Sequence, residues 1–232
     1  MSTQTTTTTT TTAHSKLTAD LAEMRAGFAV RMPEDIRTAM TAADLALAAS
    51  GIMLRAMKAG QFAPDFVLPN IDGKAVRFSD VLRNGPAIVS FYRGGWCPYC
   101  NLELRAYQAL SEEMSAAGVQ MLAISPQKPD ESAATVKKNG LGFQVLSDVG
   151  SSVSKQFGIA FDLAEELRPI YTRLGHALPD FNGADWVLPI PATYVIGTDR
   201  KIILAHVDTD YRSRLEPSDA IAAAASVKLL AA

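Results

Sequence analysis

Only two cysteines occur in this 232-residue chain, and they stand together in the segment Trp96-Cys97-Pro98-Tyr99-Cys100. A Cys-x-x-Cys pair supports redox chemistry of the two thiols, or forms half of a zinc site, or is simply two inert buried thiols. Zinc would need two further ligands, and the three histidines, His14, His176 and His206, show none of the usual pairing, so no metal is expected. The run Ala87-Ile88-Val89-Ser90-Phe91-Tyr92 reads as a strand, and Leu102, Ala106, Leu110 and Met114 recur every fourth residue until Gly118, as in a helix. Cys97 is therefore expected at a strand-to-helix junction, where unpaired backbone N–H groups and the helix dipole favour a thiolate. Thiols so placed have pKa values of roughly 3.5 to 7.5, against about 8.5 for a free cysteine. Pro98 suits the first helical turn, and Cys100 follows one turn along, placed to attack a mixed disulfide or sulfenic acid on Cys97. Gly94 and Gly95 would let a substrate approach the backbone closely. Arg93 is either a solvated loop charge or a stabiliser of the thiolate. Trp96 is a substrate-contact candidate beside the plainer reading of a packing aromatic, the reading preferred for Tyr99.

Around that junction, short apolar runs alternate with amphipathic ones, the signature of α/β architecture. Strands are predicted at residues 87–92, 119–124 and 143–146, with short helices at 132–138 and 151–157. A hairpin is predicted from 193–196 to 202–207 across Gly197-Thr198-Asp199-Arg200, and Pro217 opens a last alanine-rich helix. Residues 161–186, with Pro169, Pro179 and Asn182-Gly183, read as an inserted helix and loop. Upstream, Leu17, Leu21, Met24 and Phe28 at three- and four-residue spacing predict one helix, and an apolar run over 39–57 a second. The threonine run ending at Thr12 has no apolar face, so residues 1–14 are expected to be a disordered tail, 15–59 a helical extension and 60–232 the main domain.

With 48% hydrophobic residues the chain can bury one sizeable core, and a net charge of -2 offers no electrostatic reason to expect nucleic acid or an anionic membrane as partner. The N-terminal segment has neither a basic start nor an apolar stretch, and no run is long enough to span a bilayer, so a cytoplasmic protein is expected. No cofactor is expected, and a homo-oligomer is compatible with the sequence.

Phe91-Tyr92-Arg93-Gly94-Gly95-Trp96-Cys97-Pro98-Tyr99-Cys100, with Pro64-Asp65-Phe66 upstream, resembles the peroxiredoxin-like branch of the alkyl hydroperoxide reductase/thiol-specific antioxidant family. The resemblance runs from about Gly60 to the C-terminus. It implies a thioredoxin-like fold with a central mixed sheet flanked by helices, and reduction of peroxides by a cysteine recycled by another thiol. The segment Ala192-Thr193-Tyr194-Val195-Ile196 after Pro191 is similar to the superfamily segment that begins with a cis-proline opposite the catalytic cysteine, which makes Pro191 a candidate site residue with a cis Ile190–Pro191 bond. The chain also departs from ordinary peroxiredoxins. Gly94 stands at the usual hydroxyl position, Cys100 where a helix glutamate is usual, and Pro191 where an arginine is usual.

Three functions are consistent with this pattern. In a thiol-dependent peroxidase acting on hydrogen peroxide or organic hydroperoxides, Cys97 becomes a sulfenic acid, Cys100 condenses with it, and thioredoxin or glutathione reduces the product. A thiol-disulfide oxidoreductase of thioredoxin or glutaredoxin type would use the same pair on disulfides. A non-enzymatic redox sensor would use the disulfide to change contacts of the N-terminal helices.

Overall fold

The computed structural model describes residues 16–183 and 185–230, so the expected tail at 1–14 lies outside the described residues. The two N-terminal helices are α1 (Lys16–Arg31) and α2 (Glu34–Ala49), separated at Pro33. The apolar run 39–57 is not one helix. Gly51 takes a left-handed φ of 74°, ends α2, and starts the short α3 (Ile52–Arg55).

A hairpin that periodicity did not predict follows, β1 (Val67–Pro69) and β2 (Ala75–Arg77), turning on Asn70, whose Oδ1 accepts from the N–H groups of Asp72 and Lys74. After α4 (Phe78–Leu82) come β3 (Ala87–Phe91) and α5 (Pro98–Ala109). The helix expected to run to Gly118 breaks at Leu110, with φ -104° and ψ 19°, and continues as α6 (Ser111–Ala117) before Gly118 caps it in a left-handed conformation. The chain proceeds through β4 (Gln120–Ser125), α7 (Pro129–Asn139), β5 (Gln144–Ser147) and α8 (Ser152–Gln156). The irregular stretch 161–186 includes the end of β6 (Ala160–Asp162), a 3-10 turn, α9 (Arg168–Arg173) and α10 (Leu178–Asn182). It then enters β7 (Val187–Pro189), β8 (Ala192–Ile196), β9 (Ile202–Val207) and α11 (Pro217–Leu230).

Five strands form the central sheet in the order β5-β4-β3-β8-β9. β3, β4 and β5 are parallel because helices connect them, whereas β3–β8 and β8–β9 are antiparallel, the latter joined by the expected hairpin. Side chains alternate across β3. Ala87, Val89 and Phe91 join a core with Phe66, Phe78 and Phe157, and Ile88 joins a second core under α11. This mixed sheet flanked by helices is the architecture expected from the sequence.

The helix α1 belongs to a third core. Leu17 and Leu21 pack with Tyr92, Cys97, Tyr99, Cys100 and Leu104, so the N-terminal segment covers the cysteine junction directly. Thr18 also donates its backbone N–H to Glu216 Oε1 at 2.7 Å, tying α1 to the segment before α11.

Candidate functional site

Cys97 is the N-cap of α5, extended at φ -82° and ψ 115°, with Pro98 at the first helical position. β3 delivers the chain to this point, and the intervening loop is clamped from three sides. Gly95 N–H donates to Gln127 Oε1 at 2.7 Å, its carbonyl accepts from Asn101 Nδ2 at 2.8 Å, and Cys97 N–H donates to the Gly94 carbonyl at 3.0 Å. Asn139 Nδ2 in turn holds Asn101 Oδ1 at 2.9 Å. Both glycines are sterically required. A Cβ on Gly95 would overlap the Thr135 hydroxyl, and one on Gly94, at φ 148°, would overlap the Trp96 indole nitrogen.

Both cysteines are reduced and buried, Cys97 at 1% exposure and Cys100 at 0%. Their difference is therefore one of electrostatics and not of exposure. Burial opposes ionisation of Cys97, but a hydrogen bond with the Cys100 side chain and the positive charges of Arg93 and Arg214 outweigh it and bring the thiol down to about 6. Burial, the hydrogen bond to Cys97 and the Cys97 charge push Cys100 well above the ordinary thiol range.

The structure places Arg93 as a buried residue rather than a solvated loop charge, 5% exposed. Its Nη2 donates to the Tyr171 hydroxyl, and its guanidinium lies 5.1 Å from the Trp96 ring centroid and 4.5 Å from that of Tyr211. Arg93 Nε and Trp96 Nε1 are buried with no hydrogen-bond partner among the described residues. Sequence reasoning missed Tyr171, Tyr211, Glu103 and Arg214. Glu103 had a signal, since it lies one helical turn after Cys100, but the others reach the site from distant segments.

Cys97 faces a cleft of about 420 Å³. Its walls include Phe28 and Ala29 of α1, Met32 just after that helix, Met40 of α2, and Leu174, while Arg25, Arg37, Arg93 and Arg212 supply positive charge with no carboxylate among the lining residues.

Pro191 requires a correction. No peptide bond among the described residues is cis, so the Ile190–Pro191 bond is trans. Ile190 N–H is bound to the Ile159 carbonyl at 2.8 Å, and Ala192 already pairs with Phe91 and Val207. The chain thus passes from β7 into β8 held on both sides, and the default trans geometry meets those bonds. Pro191 is buried and lines a separate cavity of about 370 Å³ behind Arg93, Tyr171 and Tyr211, and it is not among the residues lining the Cys97 cleft.

A sequence model of the AhpC/TSA family matches residues 59–205, more than half of the chain. Peroxiredoxin Bcp of Escherichia coli K12 is 35% identical over 103 residues, covering 44% of this chain and 65% of that protein. The chloroplastic peroxiredoxin Q of Populus jackii is 34% identical over 104 residues, covering 45% of this chain and 48% of its own. The chain thus spans less than two thirds of the length of these relatives. Among solved structures, peroxidoxin BcpB from Mycobacterium tuberculosis superposes with a TM-score of 0.58 at 24% identity, covering 74% of this chain and 98% of its own. A variant of peroxiredoxin 6 of Arenicola marina gives 0.59 at 18% identity over 75% of each chain. These structures share the fold, a thioredoxin-like one.

Proposed function

The chain belongs to the AhpC/TSA family, and we propose that it is a thiol-dependent peroxidase in which Cys97 is the nucleophile and Cys100 the resolving thiol. One observation carries this reading. An acidified Cys97 shares the lining of the cleft with Arg93 and Trp96, whose Nε and Nε1 donors are buried without a hydrogen-bond partner among the described residues. The thiolate attacks one peroxide oxygen, the O–O bond breaks, and the departing alkoxide or hydroxide takes a proton from water. Donors of the same lining that turn to a bound peroxide can hold it and offset the charge that develops on the leaving oxygen. Cys100 then displaces hydroxide from the Cys97 sulfenic acid, and a thioredoxin- or glutathione-type thiol reduces the disulfide.

The apolar walls and the cleft volume suit an organic hydroperoxide as well as hydrogen peroxide. Near-complete burial of both sulfurs disfavours a protein disulfide as substrate, which ranks the thiol-disulfide oxidoreductase second. In this reading Gly94 and Gly95 shape the loop, and Pro191 positions the start of β8 without touching substrate. The relatives support the assignment by name, being peroxiredoxins. Among the described residues no helix is long and apolar enough to cross a membrane. A reducing compartment such as the cytoplasm fits the two free thiols.

The test is rapid mixing of reduced protein with hydrogen peroxide and with cumene hydroperoxide, followed through Trp96 fluorescence and thiol counting. Oxidation of Cys97 far faster than that of a free thiol is expected. A rate equal to that of free cysteine, together with efficient insulin reduction, would replace the peroxidase by the oxidoreductase.

A further inference from the structure

Beside the site lies a buried ion pair whose arginine, Arg214, helps to acidify Cys97 and also reaches Cys100. Glu103 lies on α5 one turn beyond Cys100, and Arg214 Nε meets its Oε2 at 2.8 Å, the two side chains 1% and 2% exposed respectively. Glu103 Oε1 accepts from Thr193 Oγ1 on β8 at 3.2 Å. The same guanidinium directs Nη2 at Cys100 Sγ, 3.5 Å away. Desolvation of a buried pair commonly cancels its mutual attraction, so stability alone is a weak reason for placing one against a reactive thiol.

We propose that Arg214 is a positioning residue shared between the Glu103 carboxylate and the Cys100 sulfur, and that this sharing sets how readily Cys100 attacks oxidised Cys97. The inference rests on Cys100 being the resolving thiol. In that step Cys100 gives up its proton and its thiolate attacks the sulfur of the Cys97 sulfenic acid. The S–S bond forms as the S–O bond breaks, and the departing hydroxide regains a proton to leave as water. While Cys97 is a thiolate, its charge and burial keep Cys100 protonated, and Glu103 occupies Arg214. Once Cys97 is oxidised that negative charge is gone, and Arg214 is the cation in contact with the sulfur that must ionise.

Other groups around the sulfur do not duplicate this role. Arg93 contributes its backbone N–H to Cys100 and its guanidinium charge also acts on that thiol, but its side-chain hydrogen bond goes to Tyr171 and not to the sulfur. Tyr92 and Tyr107 are buried phenols raised by desolvation, which leaves them neutral. His206 on β9 is held below its usual range, first by burial, and Glu216 and Asp219 act on Tyr107. From α1, Arg25 acts on Tyr99, and from α7, Lys138 is bound to the Gly95 carbonyl.

The test separates Arg214 from Glu103 by the sign of their effects. In a Cys97→Ser background, ultraviolet thiolate absorbance and alkylation against pH report the ionisation of Cys100 without any turnover. Glu103→Gln leaves the guanidinium to the sulfur and should lower the midpoint, whereas Arg214→Met should raise it, each by about one pH unit or tenfold in thiolate fraction. With Cys97 present, the disulfide-forming step after a hydrogen peroxide pulse should quicken in Glu103→Gln and slow in Arg214→Met. Loss of Arg214 also removes one of the attractions that acidify Cys97, but at about pH 8 a thiol starting from about 6 stays largely ionised, so the first oxidation should change far less than the disulfide-forming step in either variant. Arg214→Lys should restore part of the Arg214→Met loss. The doubly neutral Glu103→Gln/Arg214→Met variant removes both buried charges and guards against loss of the fold as an explanation. Midpoints that move together, or not at all, would overturn the inference while leaving the peroxidase reading intact. A wild-type protein that is oxidised by peroxide but forms no Cys97–Cys100 disulfide would remove the resolving role itself.

Discussion

The strand-loop-helix junction at Cys97 and the shell that encloses it are built by different rules. The junction is local. β3, the loop and α5 are consecutive in the chain, and their clamps, Gln127 and Asn139, come from the adjoining β-α unit. The shell comes from afar, with α1 and α2 at one end of the chain, Tyr171 in the irregular stretch, and Tyr211 and Arg214 after the last strand. Residues 59–205 match the family, so α1, α2 and Arg214 lie outside the part this chain shares most clearly with its relatives. The comparison teaches that the position of Cys97 is set by the junction, whereas its access and part of its acidity are set by the shell.

Removing the Cys97 thiol, the proposed nucleophile, is the strongest way to break the comparison. Cys97→Ser should abolish peroxide consumption, a loss of at least about a thousandfold by rapid-mixing kinetics, while Cys100→Ser should retain the first oxidation. Substantial turnover in Cys97→Ser would move the chemistry away from the junction.

Next in size is the loop itself. Gly94→Ala forces a side chain into a left-handed conformation against the Trp96 ring and should cost about 1–3 kcal/mol in urea denaturation. An unchanged midpoint would mean that the loop yields, and that the junction is less rigid than its bonds suggest.

Arg93→Met should raise the Cys97 pKa and reduce its alkylation rate about tenfold below neutral pH, with little change well above the new midpoint. The same ionisation links to stability. The folded value of about 6 lies below that of a free cysteine, about 8.5, so the unfolded chain binds more protons between the two. The stabilisation is complete above the upper value and lost as pH falls through the lower. Stability relative to Cys97→Ser should therefore rise with pH across that window, and less steeply in Arg93→Met. A flat difference would show that the arginine charge does not reach the sulfur.

The smallest effect sharpens the role of the shell. Phe28→Ala should lower kcat/KM for cumene hydroperoxide a few-fold, about the worth of a partly buried apolar contact, and leave hydrogen peroxide unaffected. Equal losses on both substrates would assign α1 to support of the junction instead of contact with substrate.

Much of the frame was legible because its signals are short-range. Short continuous apolar runs located β3, β4 and the hairpin of β8 and β9, a period-four apolar pattern located the start of α5, and Gly118 marked the end of α6 through its left-handed cap. The helix break at Leu110 and the β1–β2 turn were not legible, because each rests on local hydrogen bonding that an apolar period does not encode. Pro191 misled for a related reason. A proline before a strand marks a boundary, but its isomer follows from the partners on either side, here Ile159 and the strands β3 and β9.

By itself the sequence determined where a reactive thiol would sit, since residue type, a strand, a helix start and Pro98 are neighbours along the chain. Only the tertiary structure decided what surrounds it: that Arg93 is buried among aromatic rings, that α1 and α2 wall the cleft, and that Arg214 meets Glu103 and Cys100. The physical reason is that burial and charge act through space. A guanidinium 114 positions away in sequence counts as much as an adjacent one once folding places it against the sulfur.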